Sequence, residues 1–346
     1  MIDYNLRYLP MLQGNLTGFF TQITTSVFPP AQNSLTGNAH VKIGPVDLVI
    51  SDYEQLRVTL KESPEITVQT LKLFDVLVLI LSQQNKYRCD STRINRTVSI
   101  ALDDYVQMCG KPLTKATKAV MRKSLHRDMT LLCHISLGGS ELYGAQTKSF
   151  SLTRLLEQAH IEKGRIIATF SDQMANYLVH AYVTQYPVAL LATDNRAPAA
   201  YFVGKKLAYH FGLHQNRTKG SYNCLSVGAL LKVIPSILSI ERVEQTDPGH
   251  WARRIRTPLE KALDALKNSG VLSTWDYCLA KKKEILDPSR YFQDYQTYSG
   301  LHIRFELQDY PVTDAAGARK NAPHSPQSQL CDILHNYTPT QNNLTS

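Results

Sequence analysis

The chain has 346 residues, room for about two domains of ordinary size, and its 43% hydrophobic and 19% charged residues exclude an intrinsically disordered protein. Thirty-eight Lys and Arg against 29 Asp and Glu leave a net charge of +9. The excess is concentrated in a few segments, which points to an anionic partner such as nucleic acid rather than to general solubility. The most apolar run, Val76 to Leu81, is far shorter than the roughly 20 residues of a membrane span. Six cysteines without a Cys-x-x-Cys pair exclude zinc-ribbon and dithiol redox sites. Met1-Ile-Asp-Tyr4 lacks the basic start and apolar core of a secretion signal, so a reducing, cytoplasmic setting is expected.

Residues 1–60 read as an N-terminal arm or β ribbon, with a turn-rich stretch from Phe28 to Ser34 and strands at Val41 to Ile43 and Val46 to Ile50. A first domain is expected over residues 61–183. Ile66 to Gln84 is an apolar helix, Thr97 to Leu102 a strand, and Asp103 to Cys109 a short helix stopped by Gly110. Thr114 to Met129 then carries Ala116, Val120 and Met121 near one face and Lys115, Lys118, Arg122 and His126 along another. Lys111 to Arg127 holds six Lys or Arg and no acid, a local charge of +6. Leu131 to Leu137 reads as a strand and Gly138-Gly139-Ser140 as its turn. Leu152 to His160 looks helical, Arg165 to Phe170 a strand, and Ser171 to Val183 a helix capped by Ser171.

A second domain is expected over residues 184–311, with a strand from Tyr186 to Ala192, a turn at Asp194-Asn195-Arg196 and a helix from Ala199 to Leu213. Cys224-Leu-Ser226 leads into a short helix from Val227 to Val233, and a connection from Pro235 to Gly249 follows. From His250 the pattern is a basic helix. At about 100° per residue Trp251, Ile255, Leu259, Ala262 and Leu266 share the packing face, while Arg253, Arg254, Arg256, Lys261 and Lys267 lie on the rest. Thr257-Pro-Leu-Glu260 reads as a capping box with Pro at the first helical position, and Ser269-Gly270 as the stop. Val271, Leu272, Trp275 and Tyr277, then alternating Leu301, Ile303, Phe305 and Leu307, supply two wing strands. Residues 312–346 read as a flexible tail. The fold class expected is therefore α+β, two tandem winged-helix domains with an extended N-terminal arm and a disordered C-terminal tail.

The expected contacts to DNA are Lys115, Lys118, Arg122 and Lys123 from the first domain and Arg253, Arg254, Arg256, Lys261, Lys267, Lys281 and Lys282 from the second. These side chains neutralise phosphates, and one or two of the Arg pair with guanine edges. No catalytic or metal site is expected, and no cofactor. A His-apolar-His pair with a nucleophilic Tyr is absent, as is a Gly-x-x-x-x-Gly-Lys-Ser/Thr loop. His210 and His214 stand four apart without a third ligand nearby, and Asp103-Asp104 favours a helix start rather than acid–base work.

The order of elements, roughly from Glu65 to Tyr310, resembles the replication initiators of iteron-type plasmids, which join two winged-helix domains. The resemblance is carried by Arg165-Ile-Ile-Ala-Thr-Phe-Ser-Asp-Gln-Met-Ala-Asn-Tyr-Leu178, by the helix from Arg196 to Gly212, and by Arg253-Arg-Ile-Arg-Thr-Pro-Leu-Glu-Lys-Ala-Leu263. It implies a protein that binds repeated double-stranded sites at a plasmid, phage or integrated-element origin and recruits host replication proteins. It also implies an N-terminal winged helix used in homodimerisation. A transcriptional repressor or partition factor, or a winged-helix scaffold for protein contacts, are the alternatives.

Overall fold

The computed structural model describes residues 7–13, 39–43, 46–61, 64–85, 94–138, 152–179, 182–214, 222–232, 234, 236–280, 283–285 and 287–310. In chain order these form strands β1 (Tyr8–Gln13), β2 (Ala39–Ile43) and β3 (Val46–Ile50), helices α1 (Tyr53–Leu60) and α2 (Val68–Gln84), strand β4 (Thr97–Ala101), and helices α3 (Leu102–Met108) and α4 (Lys115–His134). Strands β5 (Ile135–Gly138), β6 (Leu152–Arg154), β7 (Leu156–Glu162) and β8 (Arg165–Phe170), helix α5 (Asp172–Val179) and strand β9 (Tyr182–Pro187) follow. The remainder is α6 (Ala199–His214), β10 (Cys224–Ser226), α7 (Val227–Leu231), α8 (Ile240–Thr246), α9 (Thr257–Asn268), β11 (Leu272–Leu279), β12 (Lys283–Glu284), α10 (Tyr295–Ser299) and β13 (His302–Leu307). No helix among the described residues is long and apolar enough to cross a membrane.

Two segments of this chain repeat one plan. In the first, α2, β4, α3, α4 and the β7–β8 hairpin follow one another, and the sheet order is β4-β8-β7. In the second, α6, β10, α7, α9, β11 and β13 follow one another, with sheet order β10-β13-β11-β12. In both, the last strand lies between the strand that precedes the middle helix and the strand that follows the basic helix. This is the winged-helix arrangement, so the chain carries two in tandem. Ile100 opposite Ile166 and Val98 opposite Ala168 pair across the first sheet, and Tyr277 opposite Ile303 and Trp275 opposite Phe305 across the second.

Helix α2 is buried on nearly every side because it is the hub of the first module. Thr67 accepts from the Thr70 amide while the Thr70 hydroxyl accepts from the Thr67 amide, which fixes its start. Its buried polar residues are each satisfied by a different neighbour. The Thr70 hydroxyl donates to Asp128 of α4 at 2.7 Å, and Ser82 donates to the Val78 carbonyl. Lys72 and Asp75 reach into the second module. Lys72 Nζ donates to the Thr193 carbonyl and Asn195 Oδ1 at 2.6 and 2.7 Å, and Asp75 accepts from Lys205 Nζ and the Tyr201 hydroxyl of α6 at 2.7 and 2.6 Å. Gly110 closes the same junction: its φ is +65°, and a Cβ there would lie 2.8 Å from the Ala192 Cβ. Strand β1 adds a clasp, pairing with β9 while the Tyr8 hydroxyl donates to the Gln308 carbonyl beyond β13.

Several sequence expectations are corrected. Leu152 to His160 is two strands, not a helix, because the chain from Leu156 pairs with β8 through a bulge at Glu157, after which Ala159 lies opposite Ala168 and Ile161 opposite Ile166. Tertiary pairing overrides the helical leaning of Leu-Glu-Gln-Ala. The wing expected at Leu131 to Leu137 is displaced in consequence. Helix α4 runs on to His134, and β5 pairs with β3 and β6 in a separate sheet of order β2-β3-β5-β6, while the true wing is the β7–β8 hairpin. The helix from Ser171 is capped as expected, Ser171 Oγ accepting from the Met174 amide, but it ends at Val179, and Tyr182–Pro187 is the strand that β1 needs. The strand expected from Tyr186 to Ala192 is correspondingly earlier, with a 3-10 turn over Val188–Ala192. The connection from Pro235 to Gly249 contains α8. The capping box at Thr257 is not formed, because the chain is already helical there: a π-helical turn spans Ala252–Arg256, and the Thr257 amide donates to the Ala252 carbonyl. The turn-rich stretch from Phe28, most of the Gly138-Gly139-Ser140 turn and the expected tail over 312–346 lie outside the described residues.

Candidate nucleic-acid interface

In the first module the basic helix α4 is set by its own start and by its packed side. Thr114 Oγ1 accepts from the Thr117 amide at 3.1 Å, and the two hydroxyls bond at 2.8 Å. Met121, Leu125, Met129, Leu131 and Leu132 are buried beneath it, the fully buried leucines each contributing about 1.5–3 kcal/mol. The outer side carries Lys115, Arg122 and Lys123, all exposed and none held by a carboxylate among the described residues. Lys118 is different, because its Nζ lies 2.8 Å from Asp103 of α3. Arg127, part of the same +6 run, is structural: it donates to the Glu65 carbonyl and lies 3.3 Å from buried Asp128. Ala116 and Val120, expected on the packing side with Met121, are exposed, Val120 to 69%.

The wing beside α4 supplies residues that the sequence pattern did not single out. Lys163 and Gly164 both have positive φ, +48° and +75°, between the paired residues Glu162 and Arg165. That is a two-residue hairpin turn of the kind that matches strand twist. The Gly164 carbonyl accepts from the Leu102 amide at 2.8 Å, which ties the tip to α3, and Arg165 Nε donates to Ser99. An open groove of about 630 Å3 runs between α4 and this hairpin, lined by Arg122, His126, Met129, His160, Ile161 and Lys163 among others. Cations stand on both walls, a fit for a phosphate backbone. Lys163-Gly164 between two alternating runs was the available signal.

In the second module the basic segment is more tightly engaged. Asp247 gathers its start: Arg253 Nη2 and Arg254 Nε donate to its carboxylate at 2.8 and 2.7 Å, and His250 Nδ1 lies at 2.8 Å. The two guanidiniums hold the Asp247 carboxyl down at about 2. Both Arg keep about half or more of their side-chain surface exposed, 66% and 49%, so they remain open to an anion from outside. Arg256 is not. Its guanidinium stacks over the Phe292 ring at 4.4 Å and sits 3.7 Å from Glu260, with 26% of the side chain exposed. Along α9 the acids are tied to strand β11, where Trp275 Nε1 donates to Asp264 at 3.0 Å and the Tyr277 hydroxyl to Glu260 at 3.2 Å. Burial, together with the neighbouring Tyr298, pushes the Tyr277 phenol far up, so it stays a donor. Lys261 and Lys267 are exposed and unheld by any described carboxylate. Lys261 and Asn268, seven residues apart on α9, share one face, and Arg254 lies in the π-helical turn before it. Lys281 and Lys282 lie outside the described residues.

Among the described residues no group of three or more His, Cys, Asp or Glu is placed to hold a metal. Four free cysteines are described, and Cys224 and Cys278 touch through their sulfurs at 3.6 Å.

No family model matches the chain, and no curated protein does. Among solved structures, the chain is similar to Pi initiator protein in complex with iteron DNA, at 12% identity and a TM-score of 0.48, over 78% of this chain and 100% of that one. It is similar also to domains 2 and 3 of RctB, in one structure at 11% identity and a TM-score of 0.42 over 84% of this chain and 98% of that one, and in another at 12% and 0.40 over 84% and 97%.

Proposed function

We propose that the chain is a sequence-specific duplex-DNA-binding protein that initiates replication from repeated origin sites, acts without a catalytic step of its own in the cytoplasm, and recruits host replication proteins. The observation that carries the DNA-binding part is the repetition of one plan. Two winged helices each turn a helix outward with cations unclaimed by any described carboxylate: Lys115, Arg122 and Lys123 on α4, Lys261 and Lys267 on α9. Arg253 and Arg254, shared with Asp247, add to the second set, and Lys163, 3.5 Å from Glu162, adds to the first across the wing. Lys118 and Arg256 serve mainly to brace their helices. Initiation at repeated sites, a homodimer as a second form and the host partners rest on the sequence resemblance to iteron-type initiators.

Footprinting of the full chain on duplex DNA flanking its own gene, and on iteron DNA, tests the reading. Protected direct repeats, with affinity falling on a log-log salt plot by about 0.9 per phosphate neutralised, are the expected result. Protection of a promoter palindrome alone would make the protein a repressor. No protection at low salt would remove the DNA-binding reading altogether.

A further inference from the structure

The outward face of α4 is unlike that of an ordinary solvated helix. Val120 is 69% exposed, a large apolar side chain in open water on the side turned away from the core. Ala116, one turn earlier, and Ala119 are exposed with it. The hydrogen-bonding side chains that could share this face near its start are already engaged. Thr114 and Thr117 bond each other in the helix cap, and Lys118 is held by Asp103. Lys123 closes the stripe at its far end, while Lys115 and Arg122 lie further round the helix, Arg122 toward the wing.

We propose that Ala116 and Val120 read thymine by contact with its C5-methyl group in the major groove, making α4 selective for A·T pairs two base-pair steps apart. The proposal rests on the DNA-binding reading above and deepens it. The thymine methyl is the one apolar feature that an unmodified base pair shows in that groove, so an apolar pair on a reading face has it as its partner. Lys123 at the end of the stripe, with Lys115 and Arg122 further round the same helix, supplies the charge that brings α4 to a polyanion. Four residues of helix span about 6 Å, close to two base-pair steps of about 3.4 Å. The small side chains let the helix axis approach the base edges, where a Lys or Arg at either position would hold it off. Guanine and cytosine would meet no hydrogen-bonding side chain at these two positions.

The probe is a duplex recovered from a random-sequence pool by binding to the full chain, synthesised once with thymidine and once with deoxyuridine. Deoxyuridine pairs identically but lacks the methyl. The wild-type chain is expected to bind the thymidine duplex about fourfold more tightly per methyl group touched, and Val120→Ala, at an exposed position, to lose the fourfold step of its own contact while keeping that of Ala116. Equal binding of both duplexes by the wild type would overturn the proposal and leave the DNA-binding reading standing. So would a Val120→Ala chain that weakens on both duplexes alike. Recovery of no duplex at low salt would overturn the DNA-binding reading and this proposal with it.

Discussion

The two winged helices share their strand order yet present different chemistry outward. On α4 the outer stripe is Ala116, Val120 and Lys123, apolar but for its end, with the other cations further round the helix. On α9 the stripe of the same spacing is Lys261, Ala265 and Asn268, hydrogen-bonding at both ends, with Arg254 on the turn before it. Their support differs in the same sense. α4 is capped by a threonine and leans on a leucine-rich core, while α9 continues a π-helical turn whose arginines are bundled by one carboxylate, Asp247. The difference teaches that topology sets where a helix lies and the few outward residues set what it can read. A protein with two such modules can hold two unlike reading heads in one molecule.

That division depends on the junction, so the largest expected effect comes from breaking it. Lys205→Met leaves Asp75 buried without its cation, a change that typically destabilises by about 3–5 kcal/mol. Calorimetry should show a lower Tm and a split into two transitions; an unchanged single transition would mean that the modules are held together by something else. Replacing both partners with apolar residues should recover much of the loss.

The heads themselves can be weighed by salt titration of binding. Lys115→Ala, Arg122→Ala and Lys123→Ala together should flatten the log-log slope by up to about 2.7, and Arg254→Ala with Lys261→Ala by up to about 1.8, at about 0.9 for each phosphate no longer neutralised. A set that leaves the slope untouched marks a module that does not meet phosphate. A smaller effect is expected from Asp247→Asn. It frees Arg253 and Arg254, so binding to unrelated duplexes should tighten and the slope steepen. The variant should also lose part of the acid limb of unfolding. The Asp247 carboxyl lies near 2 instead of its ordinary 3.8, so its contribution is present above about 3.8 and is lost as pH falls toward 2.

A further effect concerns Lys72 at the junction, whose ammonium is lowered by burial from 10.5 to about 8. Between those pH values the unfolded chain binds the extra proton and the folded chain does not. Stability should therefore gain from this residue as pH rises from about 8 to about 10.5, and Lys72→Met should remove that gain in denaturant titrations run across the range.

Much of this was legible where the pattern is local. The periodicity of Trp251, Ile255, Leu259, Ala262 and Leu266, the Gly110 and Gly270 stops, the strand β8 and the alternation in β13 all fall where the sequence places them. What was missed depends on distant partners. Leu156–Glu162 becomes a strand only because β8 lies beside it, and Tyr8–Gln13 only because β9 does. The outward turn of Val120 is of the same kind. Its neighbour Met121 takes the buried place, and a one-residue offset around a helix is beyond what an apolar count can assign. Lys118 and Arg256 look like free cations in the sequence, and only the fold shows the Asp103 and Phe292 that hold them.

The clasp made by β1 has a consequence for how the chain comes to be folded. Tyr8 meets Gln308 across 300 residues of sequence, and its strand partner β9 lies more than halfway along the interval. At about 5–20 residues per second of synthesis, β1 waits about 15–60 s for the carbonyl it finally grips. The winged helices between them close over far shorter loops and can settle as each emerges. The loop closed by Tyr8 is therefore the last to shut, and refolding followed by amide exchange should show Leu9 and Met11 gaining protection after the helices they lie against.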